Sequence, residues 1–388
     1  MKKFVLFTLF SLIFISLFFL AYSACTKTGN SLQSGSTQDG DTLLNGSVGN
    51  GDVALLDDET QLANSAYDLT KSLPLNYVED ASVDYTNYIQ KGMSANLIAK
   101  MPNFRILINE NGLKMLSGAR LFFQEKSVIV LKGNSLSSYA VIGINNVNDI
   151  IMYYPRIEGD RYIHTGSSGE WGMGITISGS KNIHIKNPNI SKCWGDGIYV
   201  GGGNIPNEDV EIYKGQINDC RRNGISITNV KNLQIQGTTI SNANGVPPMC
   251  GIDIEPNSNN NIIEGVVISD VNTFNNGDGG ILIYLTALIG PLEKTVGIEI
   301  NRHFDNGSNY NFVLGSYYVK NTTDKPLLGS IIINSPRWTN SIKKPVNAPS
   351  VYKKMPKTIF NNITVINNSY TSQDVKNILI SQENISVF

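Results

Sequence analysis

Five short segments share one arrangement of apolar and polar positions. They are Met173-Gly-Ile-Thr-Ile177, Asp196-Gly-Ile-Tyr-Val200, Asn223-Gly-Ile-Ser-Ile227, Cys250-Gly-Ile-Asp-Ile254 and Gly279-Gly-Ile-Leu-Ile283. Each sets a glycine before apolar residues two apart, the period of a strand with one buried face. Their central isoleucines, 175, 198, 225, 252 and 281, are spaced 23, 27, 27 and 29 residues apart. A second strand recurs between them, beginning at Ile183-His-Ile185, Val210-Glu-Ile212, Leu233-Gln-Ile235 and Ile262-Ile263. A third apolar position follows in each period, at Ile190, Ile217, Ile240 and Ile268. Asn182, Asp209, Asn232 and Asn261 precede the second strands as turn residues.

A strand period repeated every two dozen residues predicts a solenoid whose coils stack isoleucine on isoleucine. No coil can bury its own face alone, so the repeat must continue. A helical solenoid is excluded by the period of two and the frequent glycines. A β-propeller would need ~40–45 residues per blade. Asp84–Leu97 reads as a short amphipathic helix capping the open N-terminal end. Further strands are expected at Phe104–Ile108, Arg120–Phe123, Ser127–Leu131 and Tyr139–Ile144, then at Val296–Ile300, Phe312–Val319, Gly329–Ile333 and Ile359–Ile366. The predicted fold is all-β: a single-stranded right-handed parallel β-helix with a short N-terminal capping helix.

The N-terminus changes where this body is expected to work. Lys2 and Lys3 precede an apolar run, Phe4–Tyr22, and then Ser23 and Ala24, the layout of a secretory signal. An uncleaved anchor would show a similar pattern. Ala-Tyr-Ser-Ala-Cys, ending at Cys25, resembles a bacterial lipoprotein cleavage site, with Tyr22 where a leucine is usual. That resemblance implies lipidation at Cys25. Residues to about 58 are rich in Gly, Ser, Asn, Asp and Thr and read as a flexible tether. The expected organisation is a signal at 1–24, a lipidated cysteine and tether at 25–58, and a β-helix domain at 59–388. It places the protein outside the cytoplasm, lipid-anchored to a bacterial membrane, periplasmic or at the cell surface. A net charge of -1 offers no footprint for nucleic acid. Cys193, Cys220 and Cys250 make no disulfide framework. Cys193 and Cys220, one coil apart, are expected to stack as small apolar fillers.

The stacked Gly-Ile-x-Ile strands and Asn-led turns resemble the pectin-lyase-like superfamily of right-handed parallel β-helices over roughly residues 75 to 388. Within it, Gly159-Asp-Arg161, Gly169-Glu-Trp-Gly-Met-Gly-Ile175 and Cys193-Trp-Gly-Asp-Gly-Ile198 are similar to bacterial repeat proteins named for their fold alone. The resemblance implies architecture. Lyases, hydrolases, epimerases and non-catalytic proteins share it.

Candidate chemistry follows from the alternation. The residues between and beyond the inward isoleucines form two outward columns, Thr176, Tyr199, Ser226, Asp253, Leu282 and Ser178, Gly201, Thr228, Glu255, Tyr284. Trp171, Trp194, Asp196, Arg221, Arg222 and Asn223 lie in the turns before these strands, with Glu170 and Arg161 close by. Aromatic rings can cover sugar faces and the polar groups can grip hydroxyls or uronates. Asp253 and Glu255 project from one face with Cα atoms ~6.5–7 Å apart, permissive for an acid and a base. They would equally serve as solvated or structural carboxylates. Asp196 is placed like a carboxylate of polygalacturonase-type hydrolases, but Gly195, Met173 and Arg222-Asn223 replace that family's partners, so Asp196 is as much a turn residue as a ligand. His164 is a candidate general acid or base. His184 and His303 offer nothing.

The expected function is polysaccharide processing on the outer face. Hydrolysis would use Asp253 and Glu255 with Asp196 or His164, and needs no cofactor. Elimination would use Arg221 or Arg222 to neutralise a uronate, with His164 or Tyr199 and with calcium held by Asp196, Asp253 and Glu255. No Cys-x-x-Cys pair suggests zinc. The alternatives are a non-catalytic glycan-binding protein and a structural surface stalk.

Overall fold

The computed structural model describes residues 57–315, 323–348, 354–382 and 384–388. The signal, Cys25 and nearly all of the tether lie outside the described residues. Three parallel sheets run the length of the body: sheet A with 12 strands, sheet B with 11 and sheet C with 9. The chain visits the sheets in turn, so each strand pairs with its equivalent one coil on. This is a parallel β-helix. Its interior is one continuous apolar column from Leu69 to Leu379.

The isoleucine register read from the sequence is the register of sheet C. Ile175 pairs with Ile198, Ile198 with Ile225, Ile225 with Ile252 and Ile252 with Ile281, and all five are fully buried. The second strand forms sheet A, with Ile183, Val210 and Leu233 in register. The third position forms sheet B, with Ile157, Ile190, Ile217 and Ile240 aligned.

The fourth coil departs from expectation. Leu233 pairs with Val266 and Ile235 with Ile268, while Ile263 pairs with Val230. Ile268 therefore belongs to sheet A, and Thr273 takes the slot opposite Ile240 in sheet B. The turn residue equivalent to Asn232 is Gly265, at φ 65°, not Asn261. Asn261 instead ties a local loop, its Oδ1 accepting from the amides of Asn257 (2.9 Å) and Ser258 (2.8 Å). Ile359–Ile366 also divides. Lys357–Asn361 joins sheet A and Thr364–Ile366 joins sheet B, with Asn362 at φ 54° turning the corner between them. Part of Phe312–Val319 lies outside the described residues, and its strand is Tyr310–Leu314.

Glycine is required before each sheet C isoleucine because the space is already taken. A Cβ on Gly197 would collide with Cγ2 of Ile217, on Gly224 with Cγ2 of Ile240, and on Gly251 with the Thr273 side chain. The glycine column of sheet C and the inward column of sheet B thus fill one volume between them.

The ends are closed by helices in the place of sheet C strands. Thr86–Ala95 follows the first strand of sheet B, Asp80–Asp84, and buries Thr86, Ile89, Gly92 and Met93. Its Gln90 side chain accepts from the Lys114 amide (2.7 Å) and donates to the Lys114 carbonyl (3.1 Å). That satisfies the edge strand Leu113–Lys114, which would otherwise offer free backbone groups. Ser372–Ile380, capped reciprocally by Thr371 and Asp374, follows the last strand of sheet B at the other end. A third helix, Asp57–Ser65, lies alongside sheet A, where Glu59 meets Lys186 and Tyr153.

Past Thr273 the sheet B column turns polar. Asp305 is fully buried and accepts from Thr273 Oγ1 (2.6 Å), Ser308 Oγ (2.7 Å) and Asn311 Nδ2. Trp338 Nε1 donates to His303 Nδ1 (3.3 Å), so the His303 Nε2 proton faces Thr273 Oγ1 (2.7 Å). Burial pushes Asp305 up to about 7 and His303 down to about 3.

Two predictions follow from this packing. Gly224→Ala should lose ~1–3 kcal/mol through overpacking, read as a lower denaturant midpoint. Asp305 holds a proton in the folded state that the unfolded chain releases near its ordinary ~3.9, so its contribution to stability falls as pH rises from there to about 7. His303 works in the opposite sense between about 3 and its ordinary value. Asp305→Asn removes only the falling contribution. Its stability relative to the native chain should rise with pH across ~4–7, by at most ~1.4 kcal/mol per pH unit. Chemical denaturation at pH 4.5 and 7 (roughly the two ends of that window) checks the sign.

Candidate functional site

The outward columns of sheet C stand as the alternation implied. Thr176 pairs with Tyr199, Tyr199 with Ser226, Ser226 with Asp253 and Asp253 with Leu282. The amides of Thr228, Glu255 and Tyr284 bond to the preceding coils at Val200, Ile227 and Ile254, which stacks the second column. What alternation could not give is how deeply this face is covered. Asp253 is only 2% exposed, and Asp196 and Asn223 are fully buried.

The reason is Arg222. Its side chain lies across the face and brings three acids within 4.0 Å of one guanidinium, with the charge of Glu255 acting on it as well. Nη1 donates to Asp196 Oδ2 (3.0 Å) and Oδ1 (3.3 Å) and to Ser226 Oγ (3.3 Å). Nε stands 3.4 Å from Glu170 Oε2, and Nη2 stands 4.0 Å from Asp253 Oδ2. Asp196 is fixed further by the Asn223 amide (3.0 Å). Asn223 acts as a buried brace. Its Nδ2 donates to Asp253 Oδ2 (3.0 Å) and Ser226 Oγ (3.0 Å), while its Oδ1 accepts from the Cys250 amide (2.9 Å).

Two groups in this cluster hold protons unusually tightly. Burial pushes Asp253 well above the usual carboxylate range, and the charges of Glu255 and Asp196 add to the effect. Burial also raises Glu255, with Glu170 adding to it and Arg222 opposing it. Asn223 donates to Asp253 Oδ2, whereas Oδ1 has no partner among the described residues. Glu255 is half-buried and makes no side-chain hydrogen bond among the described residues. Glu170, with its side chain 33% exposed, also reaches the surface.

Several expected site residues are occupied elsewhere. The His164 side chain is fully covered, so it cannot meet a substrate directly. His164 Nδ1 lies 2.8 Å from Asp160 Oδ2, and Asp160 also accepts from Tyr139 (2.6 Å) and Asn134 (2.9 Å). The stacking faces of Trp194 are not free for a sugar: its ring stacks on His164 at 3.9 Å and carries the Arg221 guanidinium at 3.6 Å. Arg221 Nη1 donates to the carbonyls of Gly169 (3.1 Å) and Trp194 (3.3 Å). Arg161 is bound to Asp219 Oδ1 (2.7 Å) and to the Asn244 carbonyl (2.5 Å). Trp171 is half exposed and Tyr199 partly so, its hydroxyl 3.0 Å from Thr228 Oγ1. These two rings remain open to a ligand. Cys193 and Cys220 are buried free thiols, and the contact with Cys220 pushes the Cys193 thiol up.

The site does not fit calcium. The Arg222 guanidinium stands among the acids that would have to converge on the ion. Among the described residues no group of three His, Cys, Asp or Glu side chains is arranged to hold a metal. Sequence reasoning underrated Glu170, because only the fold brings its turn onto Arg222.

The chain matches the family model described as a right handed beta helix region over two overlapping spans, residues 99–289 and 173–324. It is 28% identical over 245 residues to the SPbeta prophage-derived uncharacterized protein YorA of Bacillus subtilis (strain 168), covering 58% of this chain and 39% of that protein. The chain therefore spans about two-fifths of the length of that curated relative. Among solved structures it is similar to the Streptococcus pneumoniae surface protein and adhesin PfbA, with a TM-score of 0.57 at 14% identity over 83% of this chain and 88% of that one. It is similar also to the Dettilon tailspike protein gp208, with a TM-score of 0.54 at 13% identity over 78% of this chain and 62% of that one. At these identities the structural likeness is one of fold.

Removing the acid that pairs with Arg222 should unfold the face before it changes any chemistry. Asp196→Ala leaves a mostly buried guanidinium without its principal partner and should cost ~3–5 kcal/mol. A thermal melt of the variant beside Glu170→Ala, whose acid is more exposed and should cost far less, measures the difference.

Proposed function

We propose, from the premise that the chain belongs to the right-handed β-helix family, that its sheet C face binds and hydrolyses a polysaccharide outside the cytoplasm. One observation carries this reading. Glu255 is a half-buried carboxyl without a hydrogen bond among the described residues, held above its ordinary range beside acids that Arg222 partly neutralises. Such a carboxyl can still hold a proton where an ordinary one has lost it, as the acid of glycoside hydrolysis requires.

In the proposed reaction Glu255 gives its proton to the glycosidic oxygen as the bond to the anomeric carbon breaks. Water attacks that carbon and loses a proton to Glu170, the other acid that reaches the surface. Asp253, expected from the sequence to share the chemistry, is too deeply buried to touch the sugar. Together with Asp196, Asn223 and Ser226 it positions Arg222. Trp171 and Tyr199 offer ring faces to the chain on either side.

Hydrolysis is preferred to elimination on two grounds. The arginines that would neutralise a uronate are bound to protein groups, and His164 is covered. We propose, further, that Cys25 carries a lipid and tethers the β-helix to a bacterial membrane.

A general acid works protonated, so activity should fall as pH rises through the raised Glu255 value and persist above the ordinary ~4.3 of a glutamate. Glu255→Gln should lower kcat ~10²–10⁴-fold and abolish that alkaline limb. The check is release of reducing ends from purified polysaccharides across pH, with the absorbance of unsaturated uronates followed in parallel. Reducing ends without absorbance support hydrolysis, whereas both signals together mean elimination. Specific binding with no turnover would make the protein a non-catalytic glycan-binding one.

A further inference from the structure

The sheet C face gathers four carboxyl groups, Glu170, Asp196, Asp253 and Glu255, around a single guanidinium. That one cation cannot balance them, so the face is electronegative wherever two or more are ionised. The cation is also engaged: the Arg222 side chain is 15% exposed, its Nη1 donates to Asp196 and Ser226, and its Nε and Nη2 face Glu170 and Asp253 at 3.4 and 4.0 Å. The neighbouring arginines are likewise committed. Arg221 lies flat on Trp194 and donates to two carbonyls, and Arg161 is held by Asp219 and Asn244. Farther along the sheet, Lys343 stands 5.2 Å from the Tyr310 ring centre and faces Asp278, another acid.

A uronate carboxylate placed here would meet like charge without a free counter-ion, and like-charge juxtaposition is strongly unfavourable where water is excluded. The partnerless atom at the centre points the same way. Asp253 Oδ1 is buried and lacks any acceptor or donor among the described residues. It lies too deep to touch a sugar directly and is suited to a water bound between it and the sugar.

We propose that this face takes a neutral sugar in its central subsite and rejects uronates. The proposal rests on the reading of the face as a glycan site and assigns the class of glycan. Glu170 sets the discrimination, because it reaches the surface where a sugar approaches and serves as the carboxylate in the proposed reaction. The buried acids Asp196 and Asp253 keep Arg222 from serving as a uronate clamp.

The test is binding by calorimetry to matched oligosaccharide pairs of several linkages, each pair differing only in whether C6 is a hydroxymethyl or a carboxylate. The native chain should bind a neutral member about tenfold or more tightly than its carboxylated counterpart, or bind the neutral one alone. The gap should narrow in Glu170→Gln, which keeps the shape and removes a charge, and narrow again at high salt. Equal or tighter binding of a carboxylated member would overturn the proposal while leaving the face a glycan site. Failure of every pair to bind would overturn the glycan reading itself, and this proposal with it.

Discussion

Everything in this molecule depends on the close approach of sheet C to sheet B. Gly197, Gly224 and Gly251 have no side chain because Ile217, Ile240 and Thr273 already fill the volume a Cβ would enter. That contact does more than pack the core. It leaves each glycine one possible neighbour across the solenoid, which locks the register of Ile198, Ile225 and Ile252 from coil to coil. Because side chains alternate along a strand, locking the inward residues also locks the outward ones. Tyr199, Ser226 and Asp253 are neighbours for that reason.

The outward face then meets an electrostatic constraint. Parallel coils bring acids from three turns within reach of each other, and such acids repel unless something stands between them. Arg222 does so, at the cost of its own burial, and the arrangement holds because Asp196 and Asn223 are fixed by backbone as well as by side-chain bonds. Burial lifts Asp253 and Glu255 above their ordinary range, and the imbalance of charge that remains adds to it. The fold's rigidity and the site's proton-holding capacity thus have a common origin.

The C-terminal half shows that the interior column need not be apolar to be continuous. After Ile240 the sheet B column runs through Thr273, Asp305 and Trp338. The polar members are tolerated because each finds partners inside the solenoid, with Thr273 joining Asp305 to His303. An unpaired carboxyl at this depth would be strongly destabilising.

Much of this was legible in the chain. The Gly-Ile-x-Ile period of two, repeated at 23 to 29 residues, fixes the solenoid and the sheet C register, because no other stacking buries every isoleucine. The reading of the second and third strands failed in the fourth coil, where the Asn257–Asn261 loop displaces the strand start and Val266, not Ile263, continues the column. Turn residues mislead there because asparagine serves equally well in a loop tie and in a left-handed corner. The site was legible only as a list of outward positions. Alternation decides which side of the sheet a residue occupies, and so it identified Asp253 and Glu255. It says nothing of what lies over that side. Only the tertiary structure buried Asp253 and Asp196 under Arg222, covered His164 with Trp194, and brought Glu170 to the surface of the cluster. Burial and charge balance arise from side chains one coil apart, some 27 residues distant in sequence, and a local pattern does not carry them.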